Sequence, residues 1–187
     1  MVNKEKSIKD ELKEEEEEEE VIPEEAQTQK VELVEEAQND EIVLPFTRDN
    51  ITKYLWHILI VKKVEIRDVI LRKTNQPAQI SYIDGYIIDS PELEEKIIKE
   101  VSDNQTLPID LVKEINQHKK EVYLYSSSQG VYNSLVRNIV PKLKRGAVIT
   151  CVAYQDSGYP QPTIVLENPA KLPILKAQFE ALQKSKR

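Results

Sequence analysis

The chain has 187 residues and a formal net charge of −7, enough for one domain with a sizeable core plus an extension. Its acidity sits at one end: residues 1–45 hold 17 Asp and Glu against 5 Lys, a net of −12, while residues 46–187 hold 16 acids against 21 bases, a net of +5. Overall acidity therefore does not exclude a polyanionic partner for the body, a single cysteine excludes an internal disulfide, and no apolar run reaches the roughly 20 residues of a membrane-spanning helix.

Glu14 to Glu20 is an unbroken run of seven carboxylates. Like charges at helical spacing repel, and so little apolar surface cannot offset the entropy of ordering. Residues 1–45 are therefore expected to form a disordered acidic tail, and residues 46–187 a single compact α+β domain. Two weakly apolar patches interrupt the tail, at 31–34 and 42–46, the second placed to dock on the domain edge. Lys4, Lys6 and Lys9 among acids do not make a signal peptide, so the expectation is a cytoplasmic protein with no membrane partner. Abundant Lys, Glu and Ile beside scarce Gly, Met and Cys resemble thermophile composition, in which ion-pair networks gain value with heat.

Within the body, the β-branched content of 61–71 predicts a strand, and Asn75-Gln-Pro77 breaks it. Residues 80–89 read as a second strand. Ser90-Pro91 then starts a helix that runs to about Val101, with Glu92, Glu94 and Glu95 at the positive end of its dipole. Another helix follows Leu107-Pro108, carries Leu111, Val112 and Ile115, and ends near His118. A strand over 121–126 turns at 127–130 into a helix over 131–143, whose buried side is expected to be Leu135, Val136, Ile139 and Val140. Lys144-Arg-Gly146 ends it. Strands follow at 147–154 and 163–167, joined by the turn-forming run 156–160, and a last helix covers about 174–183. Cys151, in an apolar strand, is expected in the core.

Little here feeds an enzyme. His57 and His118 fall in different elements, no Cys/His pair has metal-ligand spacing, and four glycines form no phosphate loop. The expectation is a non-enzyme without cofactor or metal. The tyrosines carry more information. Side chains alternate across a strand, so Tyr82 and Tyr86 share one face, as do Tyr123 and Tyr125. Rings on a sheet with cations nearby suit single-stranded nucleic acid, whose bases stack while Lys and Arg track phosphates. The candidate cations are Arg72 and Lys73 before the first tyrosine strand, and Lys142, Lys144 and Arg145 before the penultimate strand.

The order strand, strand, strand, helix, strand, strand resembles the oligonucleotide/oligosaccharide-binding (OB) fold. Lys142-Leu-Lys-Arg-Gly146 followed by Ala147-Val-Ile-Thr-Cys-Val152 resembles the Gly-led fourth strand of single-strand binders, and Thr163-Ile-Val-Leu166 their fifth. The resemblance spans roughly 58–167. It implies an OB-like β-barrel with a helical insertion at 91–120 and a C-terminal helix. It also implies a single-stranded nucleic-acid-binding accessory protein, with DNA favoured over RNA; the charge of −12 on the tail adds the expectation that it covers the basic face or recruits a basic protein partner. Two alternatives come from other classes. One is a structural adaptor subunit of a larger complex. In the other, Ile83-Asp-Gly-Tyr-Ile-Ile-Asp-Ser-Pro91 and Glu121-Val-Tyr-Leu-Tyr-Ser-Ser127 resemble haloacid-dehalogenase motifs, which imply an α/β layered parallel sheet. That relative would be catalytically inactive, because Tyr82 stands where the nucleophilic aspartate belongs.

Overall fold

The computed structural model describes residues 47–71, 73–158 and 161–186. The acidic tail, with its expected disorder and its two apolar patches, lies outside the described residues, and so does Arg72.

Strands β1 (Asp49–Asn50), β2 (Ile58–Ile70), β3 (Pro77–Ile88), β4 (Lys119–Ser126), β5 (Val148–Gln155) and β6 (Thr163–Glu167) form one sheet in the order β1-β4-β3-β2-β5-β6. The sheet is strongly curled into a half-barrel and combines with helices in a mixed α+β body. All its long pairings are antiparallel, and the single parallel pair is the two-residue contact of β1 with β4. The layered parallel alternative is thus overturned. A parallel sheet needs a crossover helix between strands that run the same way. Here helices α1 (Pro91–Glu100) and α2 (Ile109–His118) instead return the chain antiparallel beside β3.

The helices start where local chemistry dictates. Ser90 Oγ accepts from the Leu93 N–H at 3.3 Å, and Pro91 opens the first turn of α1, where its missing N–H costs nothing. Leu93 and Ile97 of α1 and Leu111 and Ile115 of α2 pack on Ile58, Ile88 and Ile149, closing one end of the sheet's outer face. The inner face carries the main core: Leu59, Val61, Ile83, Val122, Leu124, Val152 and Leu166.

Helix α3 covers this inner core. It comprises Gln129–Ser134, a π segment Leu135–Ile139 and Val140–Leu143. Val131, Leu135 and Ile139 are buried, but Val136 and Val140 are exposed, contrary to the expected stripe. Pro141 explains this. A proline inside a helix cannot bond back to residue i−4 and crowds that carbonyl, so the preceding turn widens to π spacing and the apolar face narrows to one row.

The start of α3 also seals the free edge of β6. Ser128 Oγ donates to the Ile164 carbonyl at 3.3 Å, and Ser134 Oγ accepts from the Leu166 N–H at 3.1 Å. Only glycine fits at 130, where a Cβ would lie 2.2 Å from the Ile164 oxygen. The last helix, α4 (Leu172–Ser185), packs Leu172 and Leu175 on Cys151 and Ala153, and stacks Phe179 on Tyr154 with centroids 4.9 Å apart.

Two features of β2 shape the rest. First, β5 pairs only with residues 58–61 and β4 ends opposite Ser81, so the remainder of the β2–β3 hairpin projects as a two-stranded arm. Second, Val61 pairs with Gly85 while Lys63 pairs with Asp84, leaving Lys62 as the extra residue of a β-bulge.

Candidate nucleic-acid interface

Alternation sends Ile83, Val122 and Leu124 into the core, and Tyr82, Asp84, Tyr86, Glu121, Tyr123 and Tyr125 to the outer face. Across the β3–β4 ladder Tyr82 faces Tyr125, Asp84 faces Tyr123, and Tyr86 faces Glu121. The four tyrosines picked out in the sequence therefore converge on one surface, in the part that α1 and α2 leave uncovered.

Burial divides them. Tyr82 and Tyr125 retain only 5% and 3% of their accessible surface, packed with Ile80 and Val69, whereas Tyr86 and Tyr123 are half-buried. Two guanidinium groups complete the enclosure of Tyr82: Arg48 at 5.0 Å and Arg67 at 5.1 Å from the ring centroid. Arg48 is held there by donating to Asp84 Oδ1 at 2.8 Å and to the Leu124 carbonyl at 3.3 Å, while Arg67 is held by Glu65. The Tyr82 hydroxyl is buried without a partner. Burial pushes its pKa above the ordinary phenol value, with the charges of Arg67 and Arg48 opposing the rise. A base has no ring surface to stack on at Tyr82 or Tyr125 in this conformation.

Around Tyr86 the surface is open and cationic. Lys119 Nζ lies 4.4 Å from its ring centroid and Lys62 Nζ 5.2 Å. The bulge creates this arrangement. Val61 and Val64 both contact the inner core, so Lys62 and Lys63 both point outward, where strict alternation would send one of them inward. Lys62 donates to Glu121 Oε1 at 2.9 Å. That hydrogen bond raises the Lys62 pKa and lowers that of Glu121 below the usual carboxylate value.

The predicted cations are placed less uniformly. Lys73 is exposed in the turn at the tip of the β2–β3 arm. Lys142 bonds to the Gln105 side chain, whose amide donates to the Ile149 carbonyl at 2.7 Å, so it is tied to the α1–α2 connection rather than to the tyrosines. Lys144 and Arg145 are exposed in the turn leading into β5. Because Val148 pairs with Val61, that turn enters the sheet beside the bulge, across β2 from the tyrosine strands.

The cations nearest the rings, Arg48, Lys62, Lys63, Arg67 and Lys119, were not singled out in the sequence. Val61-Lys-Lys-Val64 breaks strand alternation and Gly85 interrupts a strand, which together signal a bulge. Arg48 lies 36 residues from Asp84, and no local signal marks that pairing. His57 is exposed and its Nδ1 lies 3.3 Å from Glu94 Oε1, and His118 ends α2. Among the described residues, no group of three or more His, Cys, Asp or Glu is placed to hold a metal ion. No helix among them is long and apolar enough to cross a membrane.

No family model and no solved structure matches the chain. A protein of Sulfolobus islandicus filamentous virus (isolate Iceland/Hveragerdi), named uncharacterized protein 11, is 60% identical over 187 residues, spanning 100% of both chains.

Proposed function

This chain belongs to one family with that viral protein, and we propose that it acts as a single-stranded nucleic-acid-binding accessory protein through the outer face of β2, β3 and β4. The observation that carries the reading is the bulge: it sets Lys62 and Lys63 together on the face that holds Tyr86 and Tyr123. Bases stack on the two accessible rings, a contact worth roughly 1–3 kcal/mol per base. Lys62, Lys63 and Lys119 neutralise phosphates, with Lys144 and Arg145 extending the track across β2. The Lys62–Glu121 pair is exposed, so exchanging its carboxylate for a phosphate costs little.

An OB-like reading of the half-barrel is supported by strand order. A three-strand meander β2–β3–β4 is followed by α3 and by the hairpin β5–β6, with β5 returning beside β2. In OB folds ligands lie on the face of the second and third strands, the position of β3 and β4 here.

The test is fluorescence anisotropy of the full chain with a labelled single-stranded DNA oligonucleotide over a salt series, with an RNA oligonucleotide in parallel. Binding should weaken as salt rises, with a log–log slope of about −0.7 per neutralised phosphate. Lys62→Glu with Lys63→Glu should lower affinity at least tenfold and flatten that slope. Absence of salt-dependent binding, or an unchanged slope in the double variant, rejects the reading. The adaptor reading has one observation in its favour, the exposed pair Ile109 and Val112 on α2. It predicts a protein partner that Val112→Asp abolishes and no affinity for the oligonucleotide.

A further inference from the structure

We propose that the acidic segment 1–46 docks in cis across the outer face of β2, β3 and β4, with Arg48 as its fixed point. The proposal deepens the function above, resting on that reading only for its consequence, competition with nucleic acid. Arg48 is the second described residue, after Thr47, and its side chain does not point into solvent. Its guanidinium crosses β4, covers the Tyr82 ring at 5.0 Å and binds Asp84 at 2.8 Å, while Asp49 and Asn50 pair with Leu124 and Tyr125 at the sheet edge. The described chain thus begins at the rim of the candidate interface, on the β4 side.

Reach and charge both favour the contact. Glu41 and Asp40 lie seven and eight residues before Arg48, spans of up to about 25 and about 29 Å at 3.3–3.6 Å per residue. Strands are about 4.8 Å apart, so crossing from β4 to β2 needs only about 10 Å. Facing this chain are Arg48, Lys62, Lys63, Arg67 and Lys119, against Glu65, Asp84 and Glu121. The acids of the face already have cationic partners, while Lys63 has no ion pair among the described residues. Residues 1–45 bring −12, and tethering holds that charge at high effective concentration over this face.

Zero-length carbodiimide coupling of the full chain at low salt, mapped by mass spectrometry, reads the contact directly. Carboxylates of 1–45 should couple to Lys62, Lys63 and Lys119 in monomeric product several-fold more than to the exposed Lys176 and Lys184 of α4. The preference should fade at about 0.5 M salt, as screening shortens the reach of charge, and Arg48→Ala should spread the products over more lysines. Equal coupling to the α4 lysines, or products found only at dimer mass, overturns the proposal. Excess oligonucleotide should displace the cross-links. Cross-links that persist in a chain without oligonucleotide affinity would reject the nucleic-acid reading and leave the cis contact standing.

Discussion

Gly85→Ala should collapse the bulge on which the proposed interface depends. A Cβ at 85 would lie 2.1 Å from the Ile60 carbonyl oxygen, 3.1 Å from its carbon and 3.3 Å from Val61 Cα. These are backbone atoms of the neighbouring strand, so no rotamer change relieves the clash, and β2 and β3 must part by roughly 1 Å to reach ordinary contact. They would part where β2 also pairs with β5, at Ile60–Ile149 and Val61–Val148. Overpacking of this kind costs about 1–3 kcal/mol, and each weakened ladder hydrogen bond adds about 1 kcal/mol. The backbone entropy that alanine saves over glycine returns only about 0.5–1 kcal/mol. The clash wins, with a net loss of about 2–4 kcal/mol. For a body of this size that lowers Tm by about 8–15 °C, measurable by scanning calorimetry. A fall below about 3 °C would refute the reasoning, since it would mean that the two strands separate freely at the bulge.

Other consequences are smaller in scope. Ser134 Oγ donates to the Gly130 carbonyl at 2.9 Å and accepts from the Leu166 N–H at 3.1 Å. Ser134→Ala strands that buried N–H, so the urea midpoint should fall by the equivalent of about 1–3 kcal/mol, with faster amide exchange at Leu166. An unchanged midpoint would show that the seam does not rely on this hydroxyl. Burial pushes the Cys151 thiol up to about 12 from an ordinary 9.0. Because the folded state favours the protonated thiol, its contribution to stability is complete below pH 9 and is lost as pH rises towards 12. A disulfide reagent at pH 8 should therefore find no thiol in the native protein and one after denaturation, and rapid native labelling would contradict the burial. The Glu121 carboxyl is lowered by its bond to Lys62. What that pairing contributes is present above the ordinary carboxylate pKa and disappears as pH falls through the lowered value. In an NMR titration Lys62→Ala should return the Glu121 midpoint upward, and an unmoved midpoint would mean that the pair does not form in solution.

Local signals carried most of the element boundaries. Ser90-Pro91 marks a helix start whatever surrounds it, and the alternation of 121–126 marks a strand, so α1 and β4 were legible in the sequence. The sidedness of α3 was not, because the apolar residues 135, 136, 139 and 140 fit an ideal helix and the widening before Pro141 removes two of them from the buried face. The candidate site was legible to the extent that alternation reaches. Period two places Tyr82 with Tyr86 and Tyr123 with Tyr125, but which strands become neighbours is a non-local outcome, and the antiparallel β3–β4 ladder joins the two pairs. Burial of Tyr82 depends on Arg48 arriving from 36 residues away relative to Asp84, beyond the range of any periodicity. Cations named for standing just before a strand are not the ones the fold brings beside Tyr86. Lys142 is occupied by Gln105, and the lysines beside Tyr86 come from β2 and from the start of β4.

Two of the ion pairs on the outer face differ in how readily an incoming phosphate would replace the carboxylate, and on the proposed reading that difference locates the footprint. Arg48 and Asp84 retain only 17% and 18% of their side-chain exposure, while Lys62 and Glu121 retain 44% and 45%. Breaking a half-buried pair leaves a charge poorly solvated, whereas an exposed pair exchanges its partner for water or phosphate at little cost. The Arg48–Asp84 pair is therefore expected to stay closed over Tyr82, and exchange with the proposed ligand to take place at Lys62–Glu121, next to the accessible ring of Tyr86. On the proposed reading, nucleic acid would then be centred on Tyr86 and Tyr123, one step along the strands from the buried pair. Tyr86→Ala should weaken oligonucleotide binding by about tenfold, the value of one stacked base, while Tyr125→Phe should leave it unchanged. The reverse order would place the ligand over Tyr82 and Tyr125 and require Arg48 to swing away from Asp84.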